Sequence, residues 1–164
     1  MKKLLTLFTV TLLSICACTN DKKKENLADI RTIEIAKLND GKIVFTDKKE
    51  LIINIENSLK KIKKLSVELT DLNIEYSKAI DNEKVDIIQL IGKNNDGSIK
   101  VSYPLEKVNE TFRIISIGSI VVCKGCAVGC NPKRKENGDG YCTECNYSDA
   151  INCEKAEHPQ LFTE

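Results

Sequence analysis

The apolar positions of this chain follow two different periods, and each period predicts a different kind of element. Apolar residues flank Asn39-Asp40-Gly41, and an Asp-Gly pair between such β-branched runs predicts a β-hairpin. The flanking residues are Ile30, Ile33 and Ile35 before the turn and Ile43 and Phe45 after it. A helix is predicted next, because Asp47 is a good N-cap and Glu50 follows it three residues later. The apolar stripe of this predicted helix recurs at helical spacing and consists of Leu51, Ile52, Ile55, Leu59 and Ile62.

From Val67 onward the period returns to two, which predicts a series of antiparallel strands. A second turn signal, Asn94-Asn95-Asp96-Gly97, separates two of these strands, and Pro104 is predicted to end the second of them. A last strand is predicted to begin at Phe112 and to break at Gly118. The expected fold is therefore α+β, an antiparallel β-meander covered by one amphipathic helix and followed by a small Cys-rich C-terminal module.

The start of the chain has the order of an export signal. Lys2 and Lys3 precede an apolar run from Leu4 to Ile15, which is shorter than the roughly 20 residues of a membrane-spanning helix. The segment Ile15-Cys16-Ala17-Cys18 resembles the lipobox of bacterial lipoproteins, in which an aliphatic residue and a small residue precede the modified cysteine. The resemblance implies a lipid on Cys18 that anchors the chain in a membrane. Thr19, where inner-membrane lipoproteins have Asp, implies the outer membrane rather than the inner one. An ordinary cleaved secretory signal is the alternative.

These signals divide the chain into four predicted parts. Residues 1–17 are the signal peptide, 18–28 a lipid-anchored tether, 29–122 the α+β domain and 123–164 the Cys-rich module. The charges are nearly balanced, with 25 Lys and Arg against 24 Asp and Glu, so no basic field indicates nucleic acid as a partner. The absence of Trp disfavours a carbohydrate-stacking surface.

Six cysteines lie in the last quarter of the sequence: Cys123, Cys126, Cys130, Cys142, Cys145 and Cys153. Four of them form two C-x-x-C pairs with fifteen residues between the pairs, a spacing within the zinc-ribbon range. Each pair can form a tight turn that presents two sulfurs, and two such turns complete a tetrahedral zinc site. The zinc alternative therefore uses Cys123, Cys126, Cys142 and Cys145 as ligands, with the other two cysteines bonded to each other.

The predicted export favours a different chemistry for the same residues. Thiols pair in an oxidising compartment, and the six cysteines form an even set. Few apolar residues lie between Cys130 and Cys153, so disulfides at about 2–4 kcal/mol each would replace a hydrophobic core there. Three structural disulfides with no cofactor are the first prediction, ahead of zinc, and a thiol-redox or iron–sulfur role has least support. Connectivity stays open, because six cysteines allow fifteen pairings.

Two basic runs invite a binding interpretation and are first interpreted as solvated. Lys60, Lys61, Lys63 and Lys64 crowd the end of the predicted helix, where the dipole favours cations, with an anion or phospholipid site as the alternative. Residues 133–135 read Lys-Arg-Lys and are predicted to form a solvated loop, with a contact to an acidic partner or a surface glycan as the alternative.

No arrangement of residues in this sequence indicates catalysis. The chain has one histidine, His158, and neither a nucleophile elbow nor a phosphate-binding glycine loop, so it is predicted not to be an enzyme. The first hypothesis is a lipid-anchored envelope protein that binds an unknown envelope protein or ligand or has a structural role. The alternatives are a zinc-binding or thiol-redox envelope protein and a small inhibitor or immunity-type lipoprotein.

Overall fold

The structure, a computed structural model, describes residues 34–115, 119–146 and 152–159. The predicted signal peptide, the lipobox and Cys18 lie outside the described residues. In the described part of the chain, no helix is long and apolar enough to cross a membrane.

One helix and ten strands follow one another through the described ranges. They are β1 (Glu34–Asn39), β2 (Lys42–Phe45), α1 (Lys48–Lys63), β3 (Asp71–Lys78), β4 (Asp86–Lys93), β5 (Ile99–Val108), β6 (Thr111–Ile114), β7 (Ser119–Lys124), β8 (Pro132–Arg134), β9 (Gly140–Cys142) and β10 (Glu154–Pro159). The strands β2, β1, β6, β5, β4 and β3 lie side by side in one antiparallel sheet that curves into a half-barrel. Beside the first half of β5 the neighbour is β7, which pairs in turn with β10. Strands β8 and β9 form a separate hairpin.

The helix α1 covers one face of this sheet. It begins after Asp47, whose Oδ1 accepts a hydrogen bond from the Glu50 backbone N–H at 2.9 Å, so the predicted N-cap is confirmed. The helix connects β2 to β3, the two outer strands of the curved path, and therefore crosses the sheet. Leu51, Ile55 and Leu59 of α1 are buried in one apolar core with the sheet. Each fully buried aliphatic side chain of this kind contributes about 1.5–3 kcal/mol.

The other face of the sheet is covered by the Cys-rich segment. Side chains alternate along β5, so that Val101 and Tyr103 pack in the core with α1, whereas Lys100 and Ser102 contact the Cys-rich segment. Cys123 lies within β7, and β10 belongs to the main sheet. The α+β class, the helix cover and the Cys-rich C-terminal module are confirmed, and this module forms a third layer on the sheet.

Pro104 does not end its strand, which corrects the prediction made for it. Strand β5 continues to Val108. The Pro104 carbonyl accepts a hydrogen bond from the Ile115 N–H, so the nitrogen of Pro104 faces the same edge of β5. Along that edge, β5 pairs with β7 as far as Ser102 and with β6 from Leu105 onward, so Pro104 lies in the gap between the two partner strands. The missing N–H of proline therefore falls where no ladder hydrogen bond is required.

Candidate functional site

The six late cysteines form three disulfides on the side of the sheet opposite α1. Cys123 is bonded to Cys142, Cys126 to Cys145, and Cys130 to Cys153. The first two bonds join corresponding cysteines of the two C-x-x-C pairs, each across a sequence separation of 19. The prediction that this segment is stapled by disulfides is confirmed.

The three bonds attach the segment to the sheet at different depths. The Cys123–Cys142 bond is buried and links β7 of the sheet to β9 of the hairpin. The Cys130–Cys153 bond reaches the residue before β10, and the Cys126–Cys145 bond joins two partly exposed loops. The apolar cluster on this side consists of Val121 and buried cysteines, so the disulfides themselves form most of the core here. Closing loops of this size contributes about 3 kcal/mol per bond in the chain-entropy account.

The disulfide form offers no thiolate ligand for a metal. The described residues also contain no group of three or more His, Cys, Asp or Glu side chains that could hold a metal ion. The zinc alternative therefore requires the reduced state of Cys123, Cys126, Cys142 and Cys145, because a metal binds the thiolate and not the disulfide.

Arg134 is buried between the Cys-rich segment and the sheet, which corrects the prediction of a solvated basic loop. It is 1% exposed. Its Nη1 donates to the carbonyls of Ser119 at 2.7 Å and Gly138 at 3.0 Å. Its Nη2 donates to the Ser102 carbonyl at 2.9 Å and the Ser102 hydroxyl at 2.8 Å. The physical reason is strand alternation, since β8 turns Arg134 inward while Lys133 on the same strand is only partly buried.

A second cation points the opposite way across the same interface. Lys100 of β5 donates from Nζ to the carbonyls of Ala127 at 3.0 Å and Gly129 at 2.7 Å, both in the loop that carries the cysteines. Burial, together with nearby Lys93, lowers the pKa of the Lys100 ammonium. Burial also lowers the pKa of Arg134 to about 10, which leaves the guanidinium charged at neutral pH. The interface is therefore polar and cationic.

Glu157 of β10 supplies the negative charge at this interface. Its carboxylate accepts hydrogen bonds from the Ser119 hydroxyl, the Gly140 N–H and the Lys155 ammonium. Burial alone would raise the pKa of Glu157, but these three donors outweigh it and hold the pKa at about 2. Ser119 also accepts from Arg134, so the cation and the carboxylate are coupled through one serine.

Gly140 sets the distance between the hairpin and the sheet. A Cβ atom at this position would lie 1.9 Å from Cγ2 of Val121, so no larger residue fits without separating β9 from β7. The chain reverses between β8 and β9 just before this glycine. Gly138, at a φ of 88°, has the backbone conformation that the reversal needs.

A cavity of about 130 Å³ opens on the helix side of the sheet, between α1 and β1. Its floor is formed by buried residues, namely Ile35, Leu51, Ile55, Tyr103 and Ile114. Its rim is formed by more exposed residues, namely Glu34, Thr46, Asp47, Glu50 and Asn54. Burial raises the pKa of the Tyr103 hydroxyl, so the phenol stays neutral. The volume is smaller than the roughly 300–1,000 Å³ of small-molecule pockets and close to the roughly 150 Å³ that holds a benzene-sized group. No sequence signal indicated this cavity.

Comparison with known proteins adds no assignment to this geometry. The chain matches no protein-family model, and no curated protein or solved structure is significantly similar to it. A functional inference for this chain therefore rests on its own residues.

Replacing Arg134 by Met should weaken the packing of the Cys-rich layer on the sheet. Three carbonyls and a hydroxyl lose a donor, and each buried polar group left unpaired costs about 1–3 kcal/mol, so we expect a loss of at least about 3 kcal/mol. Urea unfolding followed by circular dichroism, with the disulfides oxidised, measures this loss. The matched control Lys135→Met removes a neighbouring exposed cation and should change stability by less than about 0.5 kcal/mol. Equal effects of the two substitutions would show that Arg134 has no special role.

Glu157→Gln should make stability less dependent on acid pH. Because the pKa of Glu157 is lower in the folded protein than the ordinary 4.5, its contribution is complete above about pH 4.5 and is lost as the pH falls toward about 2. We expect the wild-type protein to be more stable than the variant by about 2 kcal/mol at pH 7, and this difference to shrink below pH 4.5. Urea midpoints from pH 7 to pH 2.5 measure it. Glu154→Gln, on the same strand and exposed, is the control, and an identical pH profile for both variants would contradict the assignment.

Proposed function

We propose that this chain is a lipid-anchored cell-envelope protein that acts by binding rather than by catalysis. The observation that carries the proposal is the set of three disulfides in the described residues. Structural disulfides persist in oxidising compartments and are rare in the cytosol, so they support export. The lipobox resemblance adds an anchor at Cys18, and several acyl chains on one residue would hold the protein stably in a membrane.

The binding role is supported by the cavity between α1 and β1. Its apolar floor is already formed, and its volume of about 130 Å³ suits one compact apolar group. Protein partners commonly bind through a few apolar anchor side chains that enter such pockets. The proposed ligand is therefore an envelope protein, or a small ligand, that places one such group in the cavity.

Mass spectrometry of the protein purified from membranes tests the anchor and the state of the cysteines together. We expect acyl chains on Cys18 as the first residue, three disulfides and no free thiol among the six late cysteines. Cys18→Ser should abolish lipidation and membrane attachment, whereas the matched variant Cys16→Ser should retain both. An unlipidated wild-type chain would overturn the anchor. Free thiols with about one zinc per chain would replace this proposal by the zinc alternative.

Capture of the partner from solubilised envelopes tests the binding role. Asn54→Trp places a large side chain at the rim of the cavity and should reduce recovery of the partner at least tenfold. Asn57→Trp, one turn later on α1, is exposed and does not line the cavity, so recovery should stay at the wild-type level. Equal recovery with both variants would exclude the cavity as the binding site, and the absence of any envelope partner would contradict the binding role.

A further inference from the structure

The outward face of α1 carries exposed lysines around one exposed isoleucine. Lys49, Ile53 and Lys60 recur at helical spacing on the side opposite the buried leucines, and Lys61 adjoins them. Lys64 is the exposed C-cap residue that follows the last turn. Together these five residues form the lysine face. Ile53 is 55% exposed, the highest value among those large apolar side chains of α1 whose burial the structure describes. A helix that only covers a sheet needs no apolar residue at this position.

Neighbouring carboxylates do not neutralise the lysine face. The ion pairs found within the described ranges involve none of its four lysines. Glu56 of the same helix is turned toward the core side, where it accepts a hydrogen bond from the Leu69 N–H at 2.6 Å. Glu50 is the remaining exposed acid of the helix, so the face has a clear positive excess.

The helix dipole explains only part of this pattern. Lys60, Lys61 and Lys64 lie at the C-terminal end, where the dipole favours cations. Lys49 lies in the first turn, where the dipole disfavours them, and the dipole gives no reason for an exposed Ile53. A binding surface accounts for the whole set.

We propose that the lysine face docks on an anionic phospholipid surface, with the lysines on the lipid phosphates and Ile53 at the boundary of the acyl chains. The proposal rests on the lipid anchor of the proposed function. The fifteen residues 19–33 reach at most about 50 Å, so an anchor on Cys18 keeps α1 near the bilayer and raises its effective concentration there. Each lysine near an anionic surface strengthens binding about fivefold. Docking in this way directs the disulfide-stapled layer away from the membrane, because that layer lies on the opposite side of the sheet.

The absence of Trp from the chain allows a direct test with one reporter. The Ile53→Trp variant of the full exported chain is reconstituted into vesicles of phosphatidylcholine alone or of equal parts phosphatidylcholine and phosphatidylglycerol. We expect blue-shifted emission and quenching by brominated lipid only in the vesicles that contain phosphatidylglycerol, with reversal at high salt. The control Tyr141→Trp, 42% exposed on β9, should keep solvent-like emission in both. Blue-shifted emission of the Ile53→Trp variant in both kinds of vesicle would overturn a charge-based docking.

Charge substitutions in the Ile53→Trp background test the lysines themselves. Neutralising Lys49 and Lys60 together as Lys49→Gln and Lys60→Gln should reduce the docking equilibrium constant at least tenfold. The matched pair Lys133→Gln and Lys135→Gln removes the same charge from the stapled layer and should leave docking unchanged. Equal losses for both pairs would show a general effect of net charge and would overturn the proposed face.

Flotation separates the failure of this proposal from the failure of the anchor. A lipidated chain floats with both kinds of vesicle, and unchanged emission of its Ile53→Trp variant would overturn the docking alone. A chain without lipid would overturn the anchor. Flotation of that unlipidated chain then reports docking directly, and the chain must float with phosphatidylglycerol vesicles and not with phosphatidylcholine vesicles if the lysine face docks on anionic lipid. Unfolding midpoints equal to the wild-type value show that each variant is folded.

Discussion

The fold depends on the way in which Arg134 satisfies its buried charge. The guanidinium belongs to the Cys-rich layer, yet three of its four hydrogen bonds go to Ser102 and Ser119 of the sheet. A buried cation without such acceptors would destabilise the protein by several kcal/mol, so these hydrogen bonds favour this position of the layer. The Ser119 hydroxyl also donates a hydrogen bond to the carboxylate of Glu157, on the strand β10 that pairs with β7.

The two faces of the sheet are stabilised by different physical means. On the helix side, a continuous apolar core supplies the stability. Substitutions in this close-packed core affect stability according to how much they change side-chain volume. On the other side the apolar cluster is small, and covalent bonds restrict the unfolded chain instead. Polar contacts such as the bond from the Gln89 amide to the Pro132 carbonyl then fix the position of the layer. This division explains why few apolar residues suffice for the Cys-rich segment.

The sequence predicted those features that arise from local periodicity and not those that arise from long-range pairing. The hairpin and the N-cap at Asp47 both follow from neighbouring residues. The predicted break at Gly118 lies outside the described residues. Continuation through Pro104 depends on a gap between two partner strands, which no local pattern contains. Leu69 was expected in a strand because of its apolar alternation, but its N–H binds Glu56 of the helix and β3 begins only at Asp71. The burial of Arg134 could have been inferred from alternation along β8, although a basic run normally indicates solvent.

The dependence of the Cys-rich layer on its disulfides connects the structure to the proposed export. The Cys123–Cys142 bond joins the sheet to the hairpin that carries Arg134, whereas the Cys126–Cys145 bond joins loops farther from the sheet. Under reducing conditions the hairpin would have to bury a charged guanidinium without the covalent link that keeps it beside β7. Without that bond the layer loses the roughly 3 kcal/mol that closing the loop contributes, and the local apolar cluster is too small to offset the loss. The stapled layer should therefore assemble fully only after oxidation, which an exported chain meets outside the cytosol.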